Sequence, residues 1–201
     1  QIFNIFIDLE KNLPPLIEKN NGLDYLYQIT EGKQIGRLIM KNDLLIVDKD
    51  DSDQDLLVEV TRKPIYGYLE HKDSPRFPVY QFTQADINAN KIHFILNKID
   101  DRISEDYFEF DVVDKHGNIL KANKFFIRWS LVNFEENELS IMESAGKVRV
   151  HIKKSGNLKR FSMVTCKTVS DTAKSNRDSR SYDFIHTNVK VEFNEDESLK
   201  A

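Results

Sequence analysis

Polar and apolar side chains alternate with a period of two along much of this 201-residue sequence. The alternation is strictest in residues 147–153, Lys-Val-Arg-Val-His-Ile-Lys. Four further segments show it: residues 56–61, 91–96, 107–113 and 188–193. Successive side chains of a β-strand point to opposite faces, so these segments predict half-buried strands. We therefore expect an all-β chain without long helices.

The spacing of these strands indicates how they are arranged. Clusters of Asp, Asn, Gly and Pro separate them at intervals of roughly 8–12 residues, which is typical of antiparallel β-sandwiches. One helical turn is predicted over residues 84–90, with Thr83 as its N-cap. Residues 3–9 and 125–131 are similar apolar strands, each followed by a polar break. If both end a module, one whole unit lies between them in a linear array.

Composition and charge exclude several classes of protein. The net charge of −4 argues against a strongly basic nucleic-acid binder. No apolar run approaches the roughly 20 residues that span a bilayer, so membrane contact by this segment is not expected. The first residues do not resemble a signal peptide, and the absence of an initial Met indicates a piece of a longer chain. Cys166 is alone, so no disulfide can form within the chain.

No catalytic constellation is recognisable in the sequence. The five histidines lack the spacing of a metal-binding motif: His71, His93, His116, His151 and His186. There is no G-x-S-x-G element, Gly-rich phosphate loop or Cys/His nucleophile signature. We therefore do not expect an enzyme.

The most prominent polar feature is residues 48–55, with five carboxylates in eight residues, among them Asp48 and Asp50. Such carboxylates repel one another, and Ca²⁺, which takes six to eight oxygen ligands, is the natural remedy. An EF-hand is excluded because Asp53 stands where that loop requires Gly, and strand-like segments flank the run. Two interpretations stay open, a calcium-binding loop and a solvated acidic turn.

Two further polar clusters each have two interpretations. Asp8, Glu10 and Asn12 precede two prolines and form either half of an interdomain cation site or an ordinary linker. The basic side chains of Lys147, Arg149 and Lys153 share one face of a predicted strand. They form either a site for a sulfated glycosaminoglycan or the charged solvent face of an edge strand.

Residues 8–131 resemble a chondroitin-sulfate-proteoglycan repeat, a cadherin-like sandwich. The most specific match is the element F-T-Q-x-D-I at residues 82–87. Other elements follow the order of that repeat: Pro14-Pro15, Asn21-Gly22-Leu23, Thr30-Glu31-Gly32, Asp48-x-Asp50, the run 64–69, the run 106–110 and Gly117-Asn118. By the cadherin-like analogy, Glu31 joins Asp48 and Asp50 as metal ligands that face Asp8, Glu10 and Asn12 across a junction.

Residues 132–201 resemble the N-terminal part of a Calx-beta domain. The E-x-x-G turn is matched by 143–146, the T-x-D-G-T-A element by 168–173 and the D-Y element by 182–184. The resemblance makes Glu143 and Asp183 the metal ligands, with Asp178 as a competitor for the role of Asp183. Ser170 and Asp171 depart from the family's Asp and Gly, so we expect weak calcium binding there or none.

A repeat of the first kind followed by Calx-beta is similar to the FRAS/FREM family of extracellular matrix proteins. Residues 1–7 would then end a preceding repeat. The resemblance implies a basement-membrane protein, secreted or membrane-anchored, that supports adhesion between epithelium and mesenchyme. It implies other matrix or family proteins as partners and Ca²⁺ as a stiffening ion. The alternative is a metal-independent module that binds proteins or glycosaminoglycan.

Overall fold

Antiparallel β-strands form nearly all the regular structure in residues 12–30, 34–100 and 102–201, the part of the chain that this computed structural model describes. This confirms the predicted all-β class. The chain divides into two units. Unit 1 contains residues 12–100 and 105–128, and unit 2 contains residues 102–104 and 129–201. In the described residues no helix is long and apolar enough to cross a bilayer.

The described residues of unit 1 form ten strands and one short helix. They are β1 (Leu16–Asn20), β2 (Tyr27–Thr30), β3 (Gln34–Leu38), β4 (Leu44–Val47), β5 (Leu57–Arg62), β6 (Gly67–His71), β7 (Gln81–Thr83), α1 (Gln84–Asn88), β8 (Ile92–Leu96), β9 (Glu105–Val113) and β10 (Ile119–Arg128). One sheet has the order β10-β9-β5-β7 and another the order β2-β3-β8-β6, while β1 pairs with β4.

The core of unit 1 follows from the period-two pattern. In β9 every second residue is buried, including Phe108, Phe110 and Val112. The ring of Phe108 stacks on Phe125 of β10 with 5.1 Å between ring centroids. Phe94 of β8 is also fully buried. Burial of each such aromatic side chain stabilises the fold by about 1.5–3 kcal/mol relative to leaving it exposed.

Two predicted local features are confirmed. Thr83 caps α1, because its Oγ1 accepts the Asp86 N–H while the Asp86 carboxylate accepts the N–H of Thr83 at 2.9 Å. This reciprocal pair is a capping box. The predicted helix over 84–90 is shorter in the structure, ending at Asn88.

Gly22 lets the chain approach β10 closely. Its φ is +72°, and a Cβ there would lie 2.3 Å from the carbonyl oxygen of Phe126. The next residue, Leu23, donates its N–H to that oxygen and accepts the N–H of Arg128. Only Gly tolerates both the left-handed backbone and the close approach, so this turn covers the edge of β10.

Asp106 fastens β9 to the loop before β6. It is 4% exposed, and its carboxylate accepts the N–H groups of Ile65 at 3.2 Å and Tyr66 at 2.7 Å. It also accepts the N–H of Tyr107 at 2.8 Å. A buried carboxylate with three backbone donors holds the loop at a defined position.

The outer edge of β6 is covered by the segment that follows it. Val79 donates its N–H to Leu69 at 2.9 Å, and Pro78 lies opposite Glu70 as an isolated bridge. Arg76, which has a φ of +71°, donates its N–H to the Glu70 carboxylate at 2.7 Å. Glu70 therefore holds the turn that brings the covering segment back along the strand.

In the part of unit 2 that the structure describes there are five strands and one 3-10 turn. They are β11 (Ser130–Phe134), the 3-10 turn (Glu143–Ala145), β12 (Ile152–Gly156), β13 (Ser162–Lys167), β14 (Asn188–Phe193) and β15 (Leu199–Lys200). One sheet has the order β11-β12-β15, and β13 pairs with β14.

The alternating segment 147–153 is the main departure from the sequence-based prediction. Only Ile152 and Lys153 of it belong to a strand, whereas residues 147–151 are outside the strands and exposed. The reason is that β11, the partner of β12, reaches only Phe134 opposite Ile152. Of the described residues in unit 2, the buried apolar side chains are Trp129, Ile152 and Phe193, a small core for its length.

Candidate metal centre

The acidic segment 48–55 forms the loop between β4 and β5. Asp48 Oδ1 accepts the N–H groups of Asp50 at 3.0 Å and Asp51 at 3.4 Å. Burial acts to raise the pKa of Asp48, but hydrogen bonding with the backbone and side chain of Asp50, and with the backbones of Asp51 and Lys49, outweighs it and lowers the pKa. Asp48 Oδ2 is buried and, among the described residues, has no hydrogen-bond partner.

Asp50 and Asn12 lie at the same end of unit 1. Leu13 donates its N–H to Asp50 Oδ2 at 3.1 Å, which brings residues 12–13 against the acidic loop. Asn12 Oδ1 accepts from the Nδ2 of Asn118 at 3.1 Å. Asn118 lies in the loop between β9 and β10, so three segments of the chain meet here.

Three of the predicted ligands of this junction lie outside the described residues: Asp8, Glu10 and Glu31. Their role stays a prediction. So does the ligand role of Asp48, Asp50 and Asn12, although the structure shows their surroundings.

Other carboxylates of the run have protein partners. Asp53 accepts from Asn88 Nδ2 at 2.7 Å, which ties the loop to α1. Asp55 accepts from Ser52 Oγ at 2.7 Å, and this hydrogen bond lowers the pKa of Asp55. These two side chains therefore stabilise the loop itself.

The structure adds a group of residues that the sequence did not single out. Ligand atoms of Asp51, Asp114 and His116 lie within 4.8 Å of one another. Leu57 of β5 pairs with Val113 of β9, so the loop before β5 adjoins the loop after β9. The polar turn that follows β9 could be recognised in the sequence. Its position beside the acidic loop could not, because that position depends on the pairing of β5 with β9, which are distant in sequence.

The Asp51 carboxylate already has a positive partner in Lys115 and a second contact in His116. Its side chain is 0% exposed, with Lys115 Nζ 2.6 Å from Oδ1 and His116 Nδ1 3.3 Å from Oδ2. The lysine contact does not have hydrogen-bond geometry, yet attraction between unit charges depends mainly on their distance. The oxygen donors of the loop suit a hard cation such as Ca²⁺, whereas Lys115 supplies a competing charge.

The predicted Calx-beta ligands lie in unit 2. Glu143 begins the 3-10 turn, and its role as a ligand stays a prediction. Asp183 Oδ2 accepts the N–H of Lys174 at 2.8 Å. Asp178 accepts from the hydroxyls of Ser170 and Ser175, and these hydrogen bonds lower its pKa. Asp178 and Asp183 thus close the loop between β13 and β14, and their metal binding stays a prediction.

The predicted basic stripe lies beside two open grooves of unit 2. Lys147 and Arg149 line a groove of about 950 Å³, together with Val148 and Val150. Lys153 lines a groove of about 790 Å³. Because residues 147–151 are not in a strand, the structure does not show the single charged face that the alternation predicted.

Two β-sandwich units with polar loops at strand ends define a structural module. A family model described as cadherin-like matches residues 15–128, and the Calx-beta domain model matches residues 129–201. The chain belongs to the cadherin-like family, whose model covers more than half of it, and continues into a Calx-beta segment.

The chain is also similar to several extracellular matrix proteins. The chain is 35% identical over 93% of its length to human extracellular matrix organizing protein FRAS1. It is 31% identical over 89% of its length to human FRAS1-related extracellular matrix protein 2. Extracellular matrix protein 3 of Lytechinus variegatus is 28% identical over 84% of the chain. The chain spans 5%, 6% and 5% of these relatives, respectively. No solved structure matches the chain.

These comparisons confirm the resemblance to the FRAS/FREM family. The relatives are extracellular matrix proteins, which confirms the predicted extracellular location. The matched families are structural modules of such proteins rather than enzyme families, as the sequence predicted.

Proposed function

We propose that the chain is a structural and adhesive segment of a basement-membrane protein that supports adhesion of epithelium to mesenchyme. Residues 8–131 are one cadherin-like repeat and residues 132–201 the N-terminal part of a Calx-beta sandwich. The small core and open grooves of unit 2 support the latter assignment. In a longer chain that also contains adjoining residues, the amides of residues 147–151 should exchange with solvent more slowly than in this chain. Equal exchange in the two chains would count against the assignment of residues 132–201 to part of a Calx-beta sandwich.

Calcium stiffens the segment at the end of unit 1 where residues 12–13 meet the acidic loop. The observation that carries this proposal is Asp48 Oδ2, a buried carboxylate oxygen without a hydrogen bond in the described residues. Such an oxygen is costly to bury unless a proton or cation satisfies it. Asp50 and Asn12 lie close by, and Asp8, Glu10 and Glu31 complete the proposed oxygen set. Glu143 and Asp183 form a second, weaker site in unit 2.

Scanning calorimetry of the chain with calcium and with a chelator tests the proposal. A ligand at one hundred times its Kd stabilises the folded state by about 2.7 kcal/mol. For a unit of this size that raises Tm by about 10 °C. We expect this shift in the wild type and its loss in the double variant Asp48→Asn, Asp50→Asn.

The matched control is the double variant Asp53→Asn, Asp55→Asn. It removes the same charge from the same loop, but at carboxylates that already have Asn88 and Ser52 as partners. This control should keep the calcium shift. Identical wild-type midpoints in calcium and chelator would refute the calcium proposal.

Glycosaminoglycan binding is the second candidate, favoured by the three basic residues beside the open grooves. Replacing Lys147, Arg149 and Lys153 by Ser should abolish retention on heparin. Unchanged elution of this variant would dismiss the candidate. Replacement of the exposed Lys41, Lys98 and Lys121 by Ser is the control for net charge.

A further inference from the structure

Asp51 is the one member of the acidic run whose side chain is wholly removed from solvent. Its exposed fraction is 0%, although the residue sits in an exposed loop beside Asp50 and near Asp55. A buried carboxylate needs a positive partner or hydrogen bonds, since burial without them costs several kcal/mol.

The neutralising charge comes from the loop between β9 and β10. Lys115 Nζ lies 2.6 Å from Asp51 Oδ1, and its side chain is 46% exposed, so the stem reaches in from the surface. Asp51, Asp55 and Asp50 together raise the pKa of Lys115, with the contact to Asp51 as the largest cause. The ammonium therefore interacts with much of the acidic loop and not only with one carboxylate.

The position of Lys115 is imposed by its loop. Asp114 accepts the N–H groups of His116 at 2.9 Å and Asn118 at 2.8 Å, and also Asn118 Nδ2 at 2.6 Å. Gly117 has a φ of +87°, which the tight turn requires. Pairing of β5 with β9 sets this turn beside the acidic loop.

We propose that Lys115 is a tethered counter-ion for the acidic segment. Its ammonium group takes the place of a bound cation at Asp51. The end of unit 1 then keeps its fold without metal. Any cation held at Asp48 and Asp50 binds in competition with the Lys115 ammonium, and this second part rests on the proposed function. Lys115 is thus a residue that sets how strongly the site depends on calcium.

The test compares three variants of the whole chain by calorimetry in chelator and in a calcium titration. Lys115→Met removes the charge and keeps the stem, Lys115→Arg keeps the charge, and Lys121→Met alters an exposed lysine of β10. In chelator, Lys115→Met should melt about 8 °C below the wild type, because the buried Asp51 carboxylate loses its lysine partner and keeps only the contact to His116. Lys115→Arg and Lys121→Met should melt close to the wild type.

Calcium should restore most of the lost midpoint in Lys115→Met. The calcium concentration for half of the shift should be about tenfold lower than in the wild type, because a nearby positive charge is gone. A calcium response in Lys115→Met together with none in the wild type would support the inference while refuting calcium binding by the natural chain. An equal calcium response in both would overturn the inference and leave the proposed function intact.

A double variant keeps the proposal testable if Lys115→Met does not fold. In Asp51→Asn, Lys115→Met the buried charge is removed together with its partner, so folding should return. Failure of this double variant to recover, or a Lys115→Met midpoint within about 1 °C of the wild type in chelator, would overturn the role of Lys115.

Discussion

Replacing Asp106 by Ala should be among the most damaging polar substitutions in unit 1. The carboxylate accepts three backbone N–H groups, of which those of Ile65 and Tyr66 belong to a distant loop. Hydrogen bonds to a charged group contribute about 1.5–3 kcal/mol each. Loss of the two long-range bonds should therefore lower the free energy of unfolding by about 3 kcal/mol. The lower limit applies to each bond because water reaches part of the loop.

The loss should appear as a Tm lowered by about 10 °C in calorimetry of the full chain. Asp106→Asn keeps the shape of the side chain and one carbonyl acceptor, so its Tm should fall by about half as much as that of Asp106→Ala. Asp111→Ala is the matched control, because Asp111 on the same strand accepts one local N–H, from Ala122 at 2.8 Å. Equal midpoints for Asp106→Ala and Asp111→Ala would refute the argument that the long-range bonds matter.

Three further outcomes are expected. Thr83→Ala should lower the free energy of unfolding by about 1 kcal/mol in urea titrations, since the capping box is lost, and an unchanged urea midpoint would contradict this. Burial lowers the pKa of His93 below its ordinary value of 6.5, so its contribution to stability is complete above about pH 6.5 and lost as pH falls through the folded pKa. His93→Gln should therefore lose less stability than the wild type between about pH 7 and 5, and parallel pH profiles would exclude a role for this histidine. Asp178→Asn should make the 168–187 loop more susceptible to limited proteolysis, whereas Asp171→Asn should not, and equal cleavage of the two would argue against the Ser170 and Ser175 contacts.

The local features of unit 1 could be predicted because local interactions decide them. The alternation in β9 follows from burial of every second side chain, and the Thr83 cap depends on a residue three positions away. By contrast, the contact between Asp51 and Lys115 joins residues from loops far apart in sequence. Nothing in either loop indicates the other, because only the pairing of β5 with β9 brings them together.

Segment 147–151 shows the limit of periodicity. Its alternation is as regular as that of β9, yet it is outside the strands of the structure. A strand needs a neighbour for its N–H and C=O groups, and the pattern of one segment carries no information about that neighbour. The same limit applies to the acidic run, whose density left a calcium loop and a solvated turn open and did not indicate that Lys115 would supply a positive charge.

The covered edge of β6 bears on how such a segment behaves among many copies of itself. Open backbone groups on an edge strand can pair with a strand of another copy and so promote aggregation. Pro78 has no N–H to offer, and the turn held by Glu70 keeps it against the strand. At this edge, a strand of another copy therefore finds the backbone groups of β6 already paired.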